Sequence, residues 1–152
     1  MTAFELLSAF SQGWIEYSQN RTVFDSGIIP YPDNAPGWWV TASIFMWTAS
    51  VMSIFVLIDF VYFEIQLRLN GYLTIYRKYL YSVEAGASVI VVLNMASVII
   101  VLSSLTGDFY MGYSGYLGIA ASIWYIGFGG MCHRRSKLLT KVENKVENTV
   151  EP

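Results

Sequence analysis

The chain has 152 residues, 55% of them hydrophobic and 13% charged, with a formal net charge of −2. A soluble domain averages about 25% charged residues, so polar surface here is too scarce to cover a globule in water. The single cysteine, Cys132, excludes an intrachain disulfide.

Residues 1–37 read as an extracytoplasmic segment. There is no basic n-region and no long apolar core of a cleavable signal at the N-terminus, so the spans themselves are expected to direct insertion. Over residues 1–20, Ala3, Leu6, Leu7, Phe10, Trp14 and Tyr17 approximate one apolar helix face. This spacing predicts a short amphipathic helix on the outer interface. Its polar face has no Lys or Arg, so attraction to anionic lipid does not hold it there. Asn20-Arg21-Thr22 is a glycosylation sequon, meaningful only in a lumenal segment of a eukaryotic cell. Phe24–Trp39 is a linker, because Pro30, Pro32 and Pro36 interrupt regular helix.

Three uncharged stretches follow: Asn34–Ile58, Ala85–Gly107 and Phe109–Cys132. A membrane helix needs about 20 predominantly apolar residues to cross about 30 Å of hydrocarbon, and each stretch is long enough. Open sheet edges are not tolerated in lipid, so the stretches are helices despite the β-branched density of Ser88–Val101. The fold class is therefore all-α and integral to the membrane, with helices over about 38–69, 72–106 and 111–132 forming a membrane domain at 38–132. Asn70-Gly71 is the turn of a long αα-hairpin made by the first two spans. Reflection about that turn sets Glu64 level with Arg77 and Lys78, and Asp59 level with Ser82 to Glu84. Glu64 also precedes Arg68 by four residues, a favourable order for a helical ion pair. Residues 133–152 are basic, then polar; their Lys141-Val-Glu-Asn, Lys145-Val-Glu-Asn repeat sets like charges at i, i+4 and predicts a mobile cytoplasmic tail.

The charges orient the chain. Arg68, Arg77 and Lys78 lie between spans one and two, while Arg134, Arg135, Lys137, Lys141 and Lys145 follow span three. The connection between spans two and three has only Asp108. Short loops rich in Lys and Arg stay cytoplasmic, so the N-terminus is outside and the C-terminus inside. Trp38 and Trp39 mark the outer edge of span one.

Few residues are candidates for chemistry. Asp59 and Glu84 lie near the cytoplasmic ends of their spans, and with Asn94 they are the candidates for an ion or proton pathway. Interfacial pairing with Arg68, Arg77 or Lys78 is the plainer reading of both carboxylates. Asn94, the one strongly polar side chain in mid-span two, needs a hydrogen-bonding partner in hydrocarbon. Ser114, Gly118, Ser122 and Gly129 form a small-residue ridge on span three, with Ala49 and Ser53 a weaker version on span one; such ridges allow close helix packing. His133 is the sole histidine and cannot with Cys132 complete a zinc site; beside Arg134 and Arg135 it reads as a solvated interfacial residue. Cys132 is a small apolar residue at the membrane edge, with palmitoylation the alternative. The basic residues Arg134, Arg135 and Lys137 suit anionic lipid headgroups; without interleaved aromatics they do not suit nucleic acid. No metal or cofactor site is expected.

These features predict a non-catalytic membrane protein acting as an accessory or scaffold subunit of a larger complex. A homo-oligomeric channel or transporter component is the alternative, and a lipid-modifying enzyme ranks below both. Expected partners are the bilayer, anionic lipids at the cytoplasmic face, and other membrane subunits or a second copy of the chain. A plasma or secretory-pathway membrane is favoured; mitochondrial and bacterial inner membranes share the same hydropathy. The fourth span and paired outer cysteines of four-span membrane families are missing, and no family resemblance follows from the motifs.

Overall fold

The computed structural model describes residues 2–11, 13–19, 22–29, 33, 35–70, 76–105 and 109–150; at 17–19, 22–25, 70, 76, 77, 109, 139 and 142–150 it describes the backbone alone. The elements run α1 (Thr2–Phe10), β1 (Ile15–Gln19), β2 (Thr22–Ser26), α2 (Gly37–Asn70), α3 (Tyr76–Ser104), β3 (Phe109–Met111) and α4 (Tyr113–Val150). Three helical segments are long and apolar enough to span a membrane: Gly37–Leu69, Lys78–Ser104 and Tyr113–Leu138.

The protein is an all-α membrane bundle with a small outer sheet. α2 and α3 pack along one another, α3 packs on α4, and α1 fits against both α2 and α4. α2 begins just after Pro36, whose carbonyl accepts from the amides of Trp39 (2.9 Å) and Val40 (3.3 Å). Proline is harmless there because the first helical amides lack intrahelical acceptors in any case. With 34 residues, α2 is about 50 Å long and outreaches the hydrocarbon. Several exposed hydroxyls within the spans are satisfied by their own helix: Thr41 donates to Gly37 O (2.9 Å), Thr48 to Ile44 O (2.8 Å) and Ser88 to Glu84 O (2.9 Å). Exposed hydroxyls can thus face lipid without an orphaned donor. Large apolar side chains such as Ile58, Val92, Ile99 and Ile123 are exposed along the spans, as lipid requires.

The core has two parts. The outer cluster is built on Trp14, Ile15, Ile28, Met46, Val98 and Val101. The inner one joins Val56, Phe63, Leu80, Val83, Ile90, Phe128 and Cys132. Phe60 meets Phe128 edge-on at a centroid distance of 5.0 Å.

Several sequence expectations are corrected. The helical spacing over 1–20 predicts a longer helix, but α1 ends at Phe10 and β1 starts at Ile15. Ile15-Glu16-Tyr17-Ser18 alternates with period two, the signature of a strand, and Thr22-Val23-Phe24 is β-branched and aromatic, which favours a strand partner beside it. Part of the expected linker at 24–39 is consequently β2, and part of the loop between spans two and three is β3. The sheet order is β2-β1-β3, antiparallel throughout, with Ile15 opposite both Ser26 and Met111. At the other end, α4 does not stop near Cys132 but continues to Val150. No Gly or Pro lies between Met131 and Glu151, and each like-charge i, i+4 pair costs only about 0.2–0.5 kcal/mol. Extending a helix already formed is cheap. The Asn70-Gly71 turn and the Asn20 sequon fall outside the described residues, and nothing is described of the Arg77 side chain.

Candidate functional site

The outer half of the bundle is assembled around α1 and Trp14. Trp14 is fully buried, and its indole Nε1 donates to Ser8 O. Ser8 Oγ donates to Ser114 O at 2.9 Å, and the hydroxyls of Ser11 and Ser114 hydrogen-bond each other. The strand that follows is stitched to both neighbours: Trp14 N donates to Ser26 O (3.1 Å), Gly112 N to Trp14 O (2.9 Å) and Ser114 N to Gly13 O (2.9 Å). Glycine is required at Gly112, where a Cβ would collide with the Gly13 carbonyl, while a Cβ on Gly13 would have to displace the Tyr113 ring. Trp39 Nε1 donates to Gly27 O at 3.2 Å and Ser43 Oγ to Ile28 O, which pins the segment after β2 to the start of α2.

The small-residue ridge of span three faces inward. Ser114, Gly118 and Ser122 are buried, and a Cβ on Gly118 would lie 3.0 Å from Ser8 Oγ and 3.5 Å from the Trp14 ring. It therefore seats α1 and Trp14 of the same chain. Gly129 is half-buried with open space at its Cβ position. Ala49 and Ser53 are fully buried.

At the junction of the two cores lies a polar contact the sequence reading missed. Glu5 and Asn94 are both fully buried, and Asn94 Nδ2 donates to Glu5 Oε2 at 2.7 Å. Hairpin reflection sets Asn94 near Trp47 and Thr48, whereas its partner comes from α1. The one signal was that Glu5 lies among the apolar positions of the first helix turn. Burial pushes the Glu5 carboxyl up to about 7, against the opposing pull of the Asn94 hydrogen bond. Next to Asn94 in the same helix, Ser97 Oγ donates to Ala42 O across the α2–α3 contact (3.1 Å).

α1 is only 9 residues long, about 13 Å, so it fills the outer part of the space between α2 and α4. Beyond its first residues lies a cavity of about 300 Å³ lined by Thr2, Ala3, Ser53, Val56, Leu57, Phe60, Tyr125 and Phe128.

The cytoplasmic end carries the charges. Ser82 Oγ donates to Asp59 Oδ2 at 3.4 Å, in the register that reflection predicts. Glu64 pairs with Arg135 at 3.3 Å rather than with Arg68, because the extended α4 reaches past α2. His133 Nδ1 lies 3.1 Å from Glu84 Oε1, so His133 is a partner of the carboxylate and not simply solvated. These two contacts tie α4 to each arm of the hairpin. Cys132 is 3% exposed within the inner core. Arg134, Arg135 and Lys137 are exposed. Asp59, Glu84 and Asn94 each have a separate partner, and the geometry brings no two of them together. Among the described residues there is no group of three or more His, Cys, Asp or Glu arranged to hold a metal.

No curated protein matches the sequence. Residues 2–137 match the family described as Tight junction protein, Claudin-like. That match takes in α1, the sheet and nearly all of the three spans, and it gives a tetraspan-like membrane fold in which α1, docked between α2 and α4, is a short N-terminal helix. The chain belongs to the Claudin-like family, and is an integral membrane protein within a family of structural, non-enzymatic membrane proteins.

Proposed function

We propose that the protein is a non-catalytic scaffold or accessory subunit of a membrane assembly, built with other membrane subunits or further copies of itself. The carrying observation is the outer sheet. Its order β2-β1-β3 makes β2 and β3 edge strands, and exposed Tyr110, Tyr113 and Tyr116 stand at and after the β3 edge. Edge strands offer unpaired backbone groups to a partner, and tyrosine supplies broad contact area at low entropic cost. Family membership supports association as the mode of action. In this reading Arg134, Arg135 and Lys137 hold anionic headgroups on the cytoplasmic side, each contributing roughly 1 kcal/mol near a charged leaflet.

The channel reading is the weaker one, since Asp59, Glu84 and Asn94 are held by Ser82, His133 and Glu5 respectively. The scaffold reading is tested by extraction in mild detergent and native mass measurement. Assemblies heavier than the 17.2 kDa chain are expected, and Tyr110→Ala with Tyr113→Ala should reduce them. A stable 17.2 kDa monomer with no associated protein would overturn the proposal.

A further inference from the structure

Asn94 lies ten residues before the outer end of α3 at Ser104, about 15 Å along the helix and so near mid-membrane. Glu5 meets it there, on α1 and outside the three spanning helices. The surrounding helices offer no counter-charge: Asn34–Ile58, Ala85–Gly107 and Phe109–Cys132 contain no Lys, Arg or other charged residue. An isolated carboxylate in such a setting is neutralised rather than buried as an ion. The hydrogen bonding is also half complete. Asn94 Nδ2 donates to Glu5 Oε2, while Glu5 Oε1 and Asn94 Oδ1 are both buried without a partner among the described residues. Two acceptors face the same deficit, and one proton turns the first of them into a donor for the second.

We propose that Glu5 and Asn94 form a buried proton-binding site, in which a proton on the Glu5 carboxyl closes an acid–amide pair and latches α1 into the bundle. The step is simple protonation: an O–H bond forms on Oε1 with a proton taken from water, and α1 undocks as that proton returns to water. On α4, Tyr125 is the buried titratable side chain on this side of α1. The other buried polar side chains nearby in sequence are uncharged: Ser50 and Ser53 on α2 and Ser97 on α3, beside Asn94 itself.

The sign follows from linkage. With the docked carboxyl at about 7 against an ordinary 4.5, the docked state binds more protons than the undocked one. Docking is at full strength below about 4.5, weakens by up to tenfold per pH unit as pH rises towards about 7, and is level above that.

The test uses the full chain in phosphatidylcholine vesicles. Infrared spectra are recorded through a pH titration, and hydrogen exchange of the α1 amides is followed in parallel with intrinsic rates removed. The parent is expected to show a carboxylic-acid carbonyl band, absent from Glu5→Gln, that disappears as pH rises through about 7. Its α1 amides should lose protection across the same window, while those of the permanently neutral Glu5→Gln stay protected. The proposal is overturned if Glu5→Gln removes no acid band, or if α1 protection in parent and variant depends on pH alike. Should Glu5→Gln fail to fold, Asn94→Leu decides: a shifted acid band and weaker α1 protection are expected, and an unchanged band with unchanged protection overturns the acid–amide pair.

Discussion

Trp14 is the largest fully buried side chain among the described residues and a member of the outer core cluster. It packs beside Gly118, bonds Ser8, and shares its backbone between β2 and the residue after β3. Removing a buried indole costs about 3–5 kcal/mol. Trp14→Ala is therefore expected to lower the thermal unfolding midpoint in detergent sharply, and Trp14→Phe, which keeps most of the ring, to lower it less. An unchanged midpoint for Trp14→Ala would contradict this account of the outer core. His133 and Glu84 stand at the other extreme. Their side chains are 44% and 29% exposed, so solvent screens the pair. A double-mutant cycle of His133→Ala and Glu84→Ala should give a coupling below about 1 kcal/mol.

α1 is held by shape as much as by polar contacts. The ridge of α4 accepts it closely because Gly118 lacks a side chain: a Cβ there would press on Ser8 Oγ at 3.0 Å, and a larger side chain would have to displace Ser8 and Trp14. Gly118→Leu is expected to destabilise the bundle by about 1–3 kcal/mol and to deprotect α1 in hydrogen exchange more than α2 or α3. Uniform loss across all helices would place the defect elsewhere. Ser114, Gly118 and Ser122 were legible in the sequence as a close-packing ridge. Their occupant was not, because small residues advertise proximity without naming the partner. The strands were harder still. A three-residue strand such as β3 carries almost no periodic signal, and it becomes a strand only because α3 and α4 return it beside β1.

The whole molecule is polarised along the membrane normal. The sheet and Trp14 cluster lie at one end; Glu64–Arg135, Glu84–His133 and the exposed basic residues of α4 lie at the other. With the basic clusters cytoplasmic, a C-terminal tag should resist protease added outside intact cells and become cleavable after permeabilisation. Replacing Arg134, Arg135 and Lys137 by Gln is expected to yield a mixture of orientations by the same assay, and unaltered protection would mean that other features set the topology. Arg135 also pairs with Glu64 and binds α4 to the hairpin, so orientation and cytoplasmic packing share that residue.

Sequence alone located three stretches long and apolar enough to cross a membrane, and its charge asymmetry predicts which end faces the cytoplasm. Those properties depend on local composition and charge, summed over short windows. Tertiary structure decided that α1 enters the bundle, that Glu5 is the partner Asn94 required, and that Glu84 meets His133 and Glu64 meets Arg135. Each of these contacts joins residues 49 or more positions apart. A buried polar side chain announces that it needs a partner, but only the packing of whole helices determines which one reaches it.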